Sequence, residues 1–182
     1  MAGALVMLGG AGPPPASDPL AVAAAELRRG DGIAAEVHLR KALASGISRP
    51  KLAAPMAEAL LRQGHLARAR QWLAAEEFAP GHEVYGLRMI GLLERMERNL
   101  PAAARAYDRA LAIDPRDAAL WVDIGRLRYA GGEHVQAVEA VGRALALDPA
   151  NVRALHFRGQ LVRDQFGLPA ALPWFEAGLK QA

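Results

Sequence analysis

The sequence contains no cysteine and no threonine, only three serines, and few aromatic residues. Without cysteine the chain can form neither disulfides nor thiolate metal sites, and thiol catalysis and cysteine lipidation are excluded as well. No glycine elbow surrounds Ser17, Ser45 or Ser48, so nucleophilic catalysis has no candidate. Aromatic residues make up 5% of the chain and alanine is abundant. This composition favours closely packed helices over a sheet, and we expect an all-α fold.

Lysine is scarce as well, since Lys41, Lys51 and Lys180 are the only ones and arginine supplies the other cations of a net charge of +3. The arginines are interspersed with aspartate and glutamate instead of forming basic stripes with interleaved aromatic residues. We therefore expect no nucleic acid among the partners. No segment reaches the ~18 to 20 consecutive apolar residues that a membrane-spanning helix requires.

Metal-binding and phosphate-binding motifs are missing. The five histidines are scattered, no two stand at helical ligand spacing, and the chain has no HExxH sequence. The glycine-rich stretch Gly9–Gly12 is not followed by the Gly-Lys-Ser/Thr that cradles a phosphate. Carboxylates are frequent, but none forms a recognisable acid–base pair in the sequence. We predict no metal, no cofactor and no enzymatic activity.

The N-terminal segment differs from the remainder of the chain. Met1–Leu8 is apolar, but no basic residue precedes it and three prolines, Pro13–Pro15, follow shortly. We interpret residues 1–18 as a disordered or vestigial leader and residues 19–182 as a single array. This interpretation predicts a cytoplasmic protein. A periplasmic or cell-envelope location is the alternative if the apolar run is the remnant of a signal.

A period of 34 residues organises the array. Alanine recurs at this spacing, small residues recur twelve positions earlier, and large residues recur four positions later. These columns are Ala35, Ala69, Ala103, Ala137 and Ala171; Ala23, Ala57, Gly91, Gly125 and Gly159; and Leu39, Leu73, Tyr107, Val141 and Phe175. Such a period indicates stacked helical hairpins with a concave face for a partner. The units are 16–49, 50–83, 84–117, 118–151 and 152–182, the last incomplete.

Turn and cap residues divide each unit into two antiparallel helices. Pro115 and Pro149 end the second helices of units three and four, Asp117 and Asn151 are candidate N-caps, and glycine-containing turns separate most helix pairs. Proline is also tolerated in the first turn of a helix, where Pro101 and Pro169 stand. The predicted helices are 20–30, 33–45, 51–63, 66–77, 84–97, 101–113, 118–130, 134–146, 152–165 and 169–181.

This arrangement resembles the tetratricopeptide repeat family, whose pattern is W-x2-L-G-x2-Y, then A-x3-F, then P. Unit four carries the pattern most fully, as Trp121, Ile124, Gly125, Ala137, Val141, Ala144 and Pro149. The resemblance implies a right-handed α-solenoid that binds proteins. It is weakest in unit two, where Pro55 lies inside the first predicted helix and Glu76 and Glu77 replace packing residues. We expect that helix to start late or kink, and Phe78 to cover the lost packing.

The resemblance also implies which residues line the groove, because in this family the first helix of each hairpin faces it. The implied residues are Arg88, Leu92, Arg95, Val122, Arg126, Tyr129, Arg153, His156, Gln160 and Arg163. Their mixture of guanidinium and apolar groups suits an acidic peptide or a C-terminal carboxylate. Some family members bind chaperone tails through lysine and asparagine. No asparagine occurs on these helix faces and only Lys51 lies nearby, so a chaperone tail is not expected.

Three hypotheses about function follow from these observations. The first is a non-enzymatic adaptor, in a bacterial assembly, that binds a peptide segment in its groove. The second is the N-terminal repeat region of a larger transferase or oxygenase. The third is self-association through the final hairpin, where no further helix covers Leu172, Phe175 and Leu179. Terminal repeats normally carry a polar outer face, so the last hairpin also suggests a longer parent protein.

Overall fold

The structure, a computed structural model, describes residues 18–181. Within that range it contains ten α-helices and no strand, which confirms the predicted all-α fold. The predicted leader lies outside the described residues except for Asp18, the N-cap of the first helix. The helices are α1 (Pro19–Arg29), α2 (Gly32–Ala44), α3 (Arg49–Arg62), α4 (Leu66–Leu73), α5 (Glu83–Met96), α6 (Leu100–Ile113), α7 (Ala118–Ala130), α8 (His134–Leu147), α9 (Val152–Phe166) and α10 (Leu168–Leu179).

The helix ends follow the local signals of the sequence. The side chain of Asp117 accepts a hydrogen bond from the backbone N–H of Leu120, and Asn151 accepts one from Ala154, so both predicted N-caps are confirmed. Proline occupies the first turn of α6 and of α10, where its missing N–H costs no helical hydrogen bond. Because these signals act locally, most boundaries could be predicted to within one or two residues.

Unit two departs from the prediction at two places. Helix α3 begins at Arg49 and runs through Pro55 to Arg62, so the prediction of a late start is wrong. Pro55 cannot donate a backbone hydrogen bond, which weakens α3 at this point. The burial of eight other residues of α3 compensates for this loss and stabilises the helix. Helix α4 ends at Leu73 instead of position 77, and Glu76 has a positive φ of 50°. The residues after Leu73 include two exposed glutamates, Glu76 and Glu77. Because their side chains have no apolar surface to bury against the core, packing does not stabilise a longer α4.

The small and large columns pack against each other inside the hairpins. A methyl group at Gly91 would lie 2.2 Å from a ring carbon of Tyr107, and one at Gly159 would lie 2.5 Å from Phe175. Glycine is therefore required for the close approach of α5 to α6 and of α9 to α10. In unit two, Phe78 packs in the same way on Gly86 and lies against the N-terminal core cluster, as expected.

The hairpins stack so that the odd-numbered helices form the inner layer. Helix α3 contacts α1 and α5, and α7 contacts α5 and α9, whereas no two even-numbered helices come together in residues 18–181. The core lies between the layer of odd-numbered helices and the layer of even-numbered helices. It consists of three clusters of buried residues that follow one another along the array. None of the helices in this range is long and apolar enough to cross a membrane. The stacking leaves one side of α1, α3, α5, α7 and α9 open as a concave groove.

Candidate partner-binding groove

The groove has a volume of about 1360 Å³ and extends from α1 across α3 and α5 to the first turn of α9. Its two ends differ in chemistry. Leucine, alanine and proline side chains form part of the wall at α1 and α3, together with the cations Arg28, Arg29, Lys51 and Arg62. Arg126, Asn151 and Arg153 line the part at α7 and α9, which is called the basic end below. The principal lining residues are Leu20, Ala24, Leu27, Lys51, Pro55, Glu58, Arg62, Tyr85, Arg126, Asn151, Val152 and Arg153.

The 34-residue register explains which positions face the groove. Glu58, Leu92, Arg126 and Gln160 occupy one register position on successive odd helices, and Lys51, Tyr85, Ala119 and Arg153 occupy another. The two positions are seven residues apart, which is two helical turns, so they lie on one side of each helix. Units two to five each contribute one residue from each position to the same side of the inner layer.

Four of the ten predicted groove residues belong to these two register positions. Arg126 and Arg153 line the groove directly. Leu92 and Gln160 are half-buried at the register position of Arg126. These residues come from α5, α7 and α9 of the inner layer, and a role for them in binding a partner stays a prediction.

None of the other six predicted residues lines the groove, and those in units three and four face the following unit, so the placement of the six is corrected. They occupy two register positions: Arg88, Val122 and His156, and Arg95, Tyr129 and Arg163. Val122 is completely buried in the cluster formed with α8 and α9. Tyr129 donates a hydrogen bond of 2.6 Å to Asp164 on α9. The next hairpin covers this face, and a helical face inferred for one unit alone does not reveal that covering.

The last unit shows the same face without a following helix. His156 is exposed and its ring lies 5.5 Å from that of Phe175. Arg163 is exposed and forms a 2.8 Å ion pair with its neighbour Asp164. These two residues therefore belong to the C-terminal end of the array and not to the groove.

A buried carboxylate organises the basic end of the groove. Asp123 on α7 is 2% exposed at a register position where the neighbouring units have Met89 and Phe157. Arg88 donates hydrogen bonds of 3.0 and 2.8 Å to one of its oxygens, and Arg153 donates one of 2.5 Å to the other. Burial alone would raise the pKa of the Asp123 carboxyl, but the two guanidinium groups outweigh it and hold the pKa below its ordinary value.

Arg126 lies beside this network without a carboxylate of its own. No ion pair to it occurs in residues 18–181, and its guanidinium lies 5.6 Å from the centre of the Phe157 ring. Burial lowers the pKa of Arg126, and the positive charge of Arg153 lowers it further. An arginine remains charged at neutral pH even so. Arg126 is therefore a partly desolvated cation at the wall of the groove.

Arg95 and Tyr107 form a second polar contact behind the groove wall. The Nε of Arg95 and the hydroxyl of Tyr107 are both buried without a well-formed hydrogen bond in the described part of the chain. Burial raises the pKa of the Tyr107 phenol, and the adjacent Arg95 lowers it only in part. Arg95 consequently adds positive charge near Arg126 while remaining out of contact with the groove.

The other end of the groove has a smaller polar network on α3 and α5. The hydroxyl of Tyr85 donates a hydrogen bond to Glu58, and Arg62 donates two to the other oxygen of the same carboxylate. Burial raises the pKa of Tyr85, and the charge of Glu58 raises it further. Glu58 is thus satisfied internally, whereas Lys51 and Arg28 are cations of this end without an ion pair among the described residues.

A smaller depression lies between the end of α7, α8 and the end of α9. It has a volume of about 590 Å³ and includes Tyr129, whose ring packs edge-on against His134 at 5.0 Å. Its floor is apolar, with Val138 and Leu161. In residues 18–181 no three histidine, aspartate or glutamate side chains converge as metal ligands, here or elsewhere.

The sequence reasoning missed the groove residues of the first two units and the turn before α9. Subtracting 34 from Arg126 twice gives Glu58, and subtracting it from Arg153 two and three times gives Tyr85 and Lys51. The register could therefore have identified these three residues. Asn151 could not have been found in this way, because the path of the superhelix brings the start of α9 towards α1.

Comparison with known proteins supports the repeat assignment. The family model for the tetratricopeptide repeat matches residues 95–161. Superkiller protein 3 of Schizosaccharomyces pombe (strain 972 / ATCC 24843) is 32% identical over 75 residues, which are 41% of this chain and 5% of that protein. This chain thus spans only a small part of that relative.

Solved structures share the fold at low sequence identity. A thermophilic TPR protein of Thermus thermophilus superposes with a TM-score of 0.76 at 21% identity, over 90% of each chain. The protein MamA (41-end) of Desulfovibrio magneticus RS-1 gives a TM-score of 0.56 at 19% identity, over 90% of this chain and 92% of that one.

The stacked hairpins and the open inner layer define the class as an α-solenoid repeat protein, whose architecture is that of a protein-interaction scaffold. The 34-residue period and the family match over α6, α7 and α8 then specify the kind of repeat. Residues 95–161 match the tetratricopeptide repeat family, and the fold of the whole array is similar to that of solved tetratricopeptide repeat proteins.

Proposed function

We propose that this protein binds an extended peptide segment of a partner protein in its concave groove, as a non-enzymatic adaptor. The observation that carries the proposal is the continuous groove of about 1360 Å³, to which helices from all five hairpins contribute side chains. A groove of this length fits a peptide of several residues better than a compact small molecule.

The charges along the groove favour an acidic partner. Lys51 at one end and Arg126 at the other have no internal carboxylate partner among the described residues. Glu58 and Asp123, in contrast, are already bound by arginines of the chain. The groove thus presents unsatisfied positive charge and satisfied negative charge, which attracts a ligand with carboxylates.

The absence of cysteine allows a clean test of the groove. The full chain is used to select binders from a library of random dodecapeptides displayed on phage, and a selected peptide is synthesised with a fluorophore. Single cysteines are then introduced at Ala24 or Ala150 in the groove, or at Ala112 or Ala146 on the outer helices, and coupled to a maleimide-linked polyethylene glycol. We expect the polymer to abolish binding when attached in the groove and to leave it unchanged when attached outside. Equal binding by all four conjugates, or a library that yields no binder, would overturn the proposal.

The larger-enzyme hypothesis and the self-association hypothesis have unequal support. The repeat region of a larger transferase or oxygenase gains no support from the family match, which covers repeats alone. Self-association through the last hairpin stays a prediction, supported by the exposure of Leu172 and Leu179. The same proposal places the adaptor in the cytoplasm, with the cell envelope as the alternative, and fractionation of the native host decides between them.

A further inference from the structure

The basic end of the groove holds more positive than negative charge. Four guanidinium groups, those of Arg88, Arg95, Arg126 and Arg153, lie around the carboxylates of Asp117 and Asp123. Asp148 also lines this part of the groove, so three carboxylates face four cations. One positive charge remains in excess, at a place where partial burial weakens screening by water and salt. An anion that entered this end of the groove would therefore be attracted strongly.

Asp123 cannot supply the missing negative charge. Arg88 occupies one of its oxygens with two hydrogen bonds, and Arg153 occupies the other. Asp117 lies 3.6 Å from Arg88 and also accepts the backbone N–H of Leu120 as the N-cap of α7. Both internal carboxylates are committed to other groups, so Arg126 is left for an external partner.

Arg126 and Arg153 are positioned before any ligand binds. The guanidinium of Arg126 packs over Phe157, and that of Arg153 is anchored on Asp123 while its side chain remains 41% exposed. Both side chains line the same groove. A site whose side chains are held in place loses less conformational entropy on binding than one formed by free surface arginines.

The first turn of α9 contributes to the same place. Asn151 and Val152 line the groove next to Arg153, and Asn151 caps the helix by accepting the N–H of Ala154. The first N–H groups of a helix have no intrahelical acceptor and carry partial positive charge. Asp148 lies nearby, but its oxygens accept hydrogen bonds from the backbone N–H of Ala150 and the side chain of Asn151.

We propose that Arg126 and Arg153, together with the start of α9, form a subsite for a carboxylate of the bound peptide. Asp123 is the positioning residue that holds Arg153. The inference rests on the proposed function and adds an orientation to it. The carboxylate of the peptide lies against α7 and α9, and the remainder of the peptide extends towards α1 and α3, where Leu20, Leu27 and Pro55 offer apolar contacts beside Arg28 and Lys51. The carboxylate belongs either to an aspartate or glutamate side chain or to the C-terminus of the partner.

The test uses a peptide selected with the full chain, synthesised as four versions. They are the parent, the version with each Glu or Asp replaced by Gln or Asn, the version with an amidated C-terminus, and the version with both changes. Binding to the wild type, Arg126→Gln and Arg126→Lys is measured by fluorescence anisotropy. Arg143→Gln is the matched control, because Arg143 lies over Trp121 on the outer surface. Circular dichroism confirms that each variant is folded.

We expect one of the neutralised peptides, and Arg126→Gln, to weaken binding about tenfold or more, as the loss of a charge-assisted hydrogen bond does. If the Gln or Asn replacement weakens binding, the carboxylate belongs to a side chain of the peptide. If amidation weakens binding, it belongs to the C-terminus. The neutralised peptide should bind the wild type and Arg126→Gln equally, because neither complex contains the ion pair between Arg126 and the carboxylate of the peptide. The Lys variant should fall between them, since it keeps the charge but loses the planar fork.

The outcomes separate the two proposals. If neutralised and parent peptides bind equally while a polymer in the groove still abolishes binding, the groove assignment stands and the carboxylate subsite is wrong. If Arg126→Gln and Arg143→Gln weaken binding by the same factor, the effect is one of general charge and the subsite is likewise wrong. If blocking the groove has no effect, both proposals are wrong.

Discussion

Arg88 on α5 donates two hydrogen bonds to a single carboxylate oxygen of Asp123 on α7, at 3.0 and 2.8 Å, and so connects the third hairpin to the fourth. Arg153 reaches the other oxygen from the fifth hairpin. One buried aspartate thus joins three successive repeats. At the same register position the repeats on either side use Met89 and Phe157, which shows that hydrophobic packing can fill this place.

Removing the charge of Asp123 is expected to destabilise the array. In Asp123→Asn the guanidinium of Arg88, whose side chain is 11% exposed, loses its main counter-charge, so we expect a loss of about 3–5 kcal/mol in the free energy of unfolding. Urea denaturation followed by circular dichroism measures it. Asp164→Asn, which breaks only exposed contacts, should reduce the free energy of unfolding much less.

A double variant should restore much of that stability. Asp123→Met with Arg88→Leu replaces the buried ion pair by the kind of side chain found in the neighbouring repeats. Well-packed hydrophobic replacements of buried ion pairs are often neutral or stabilising. We therefore expect the double variant to be more stable than Asp123→Asn in the same urea titration. If the double variant is less stable than Asp123→Asn, hydrophobic side chains cannot replace the ion pair at this place, and the prediction is wrong.

The stability at low pH should depend on Glu36, which is 8% exposed on α2. Burial would raise its pKa, but hydrogen bonds from Gln63, Arg40 and Arg68 lower it from 4.5 to about 2. A carboxyl whose pKa is lower in the folded state contributes stability above its unfolded pKa, and this contribution is lost as the pH falls through the folded value.

Glu36→Gln should consequently flatten the pH dependence of unfolding. We expect the loss of stability between pH 7 and pH 3 to be smaller in this variant than in the wild type, by about 1–2 kcal/mol. This range allows for solvent screening, because Arg40 and Arg68 are partly exposed. Glu139→Gln, at an exposed position outside any ion pair of the described residues, is the control and should retain the wild-type pH dependence. A Glu36→Gln profile parallel to that of the wild type would contradict the prediction.

The close approach of α5 and α6 makes Gly91 intolerant of a side chain. An added methyl group would lie 2.2 Å from Tyr107, so Gly91→Ala should destabilise the protein by about 1–3 kcal/mol through overpacking. Shortening the partner in Gly91→Ala with Tyr107→Leu should recover part of the loss. Gly142 in α8 has open space around it, and Gly142→Ala should stabilise by about 0.5–1 kcal/mol. Thermal unfolding of the three variants would show whether the signs differ as expected.

Self-association through the last hairpin can be tested without unfolding it. Phe175 is an unsuitable site because its ring packs on Gly159 inside the hairpin, whereas Leu179 is 77% exposed and Leu172 is 46% exposed. We expect sedimentation velocity to show a concentration-dependent dimer that Leu179→Glu and Leu172→Glu both dissociate with unchanged helicity. If the wild-type protein sediments as a monomer at every concentration, the prediction of self-association is wrong.

The sequence predicted the helices well because their signals are local. The prolines after Ile113 and Leu147 end two helices, Asp117 and Asn151 begin the next ones, and all four boundaries occur where expected. The prediction was wrong where tertiary packing overrides local preference. Buried neighbours carry α3 through Pro55, and α4 ends early because no core is available beyond Leu73.

The groove residues could be predicted only in part, because a helix with a 3.6-residue turn has more than one polar face. The sequence determined the period, the hairpins and the pairing of small with large residues, all of which follow from spacing along the chain. Only the tertiary structure decided that the next hairpin covers Arg88, Val122 and Tyr129, while Arg126 and Arg153 stay in the groove. It also decided that Asp123 is buried between two arginines from other repeats. The crossing of successive hairpins sets which face is covered, and that crossing depends on packing between residues 34 or 35 positions apart.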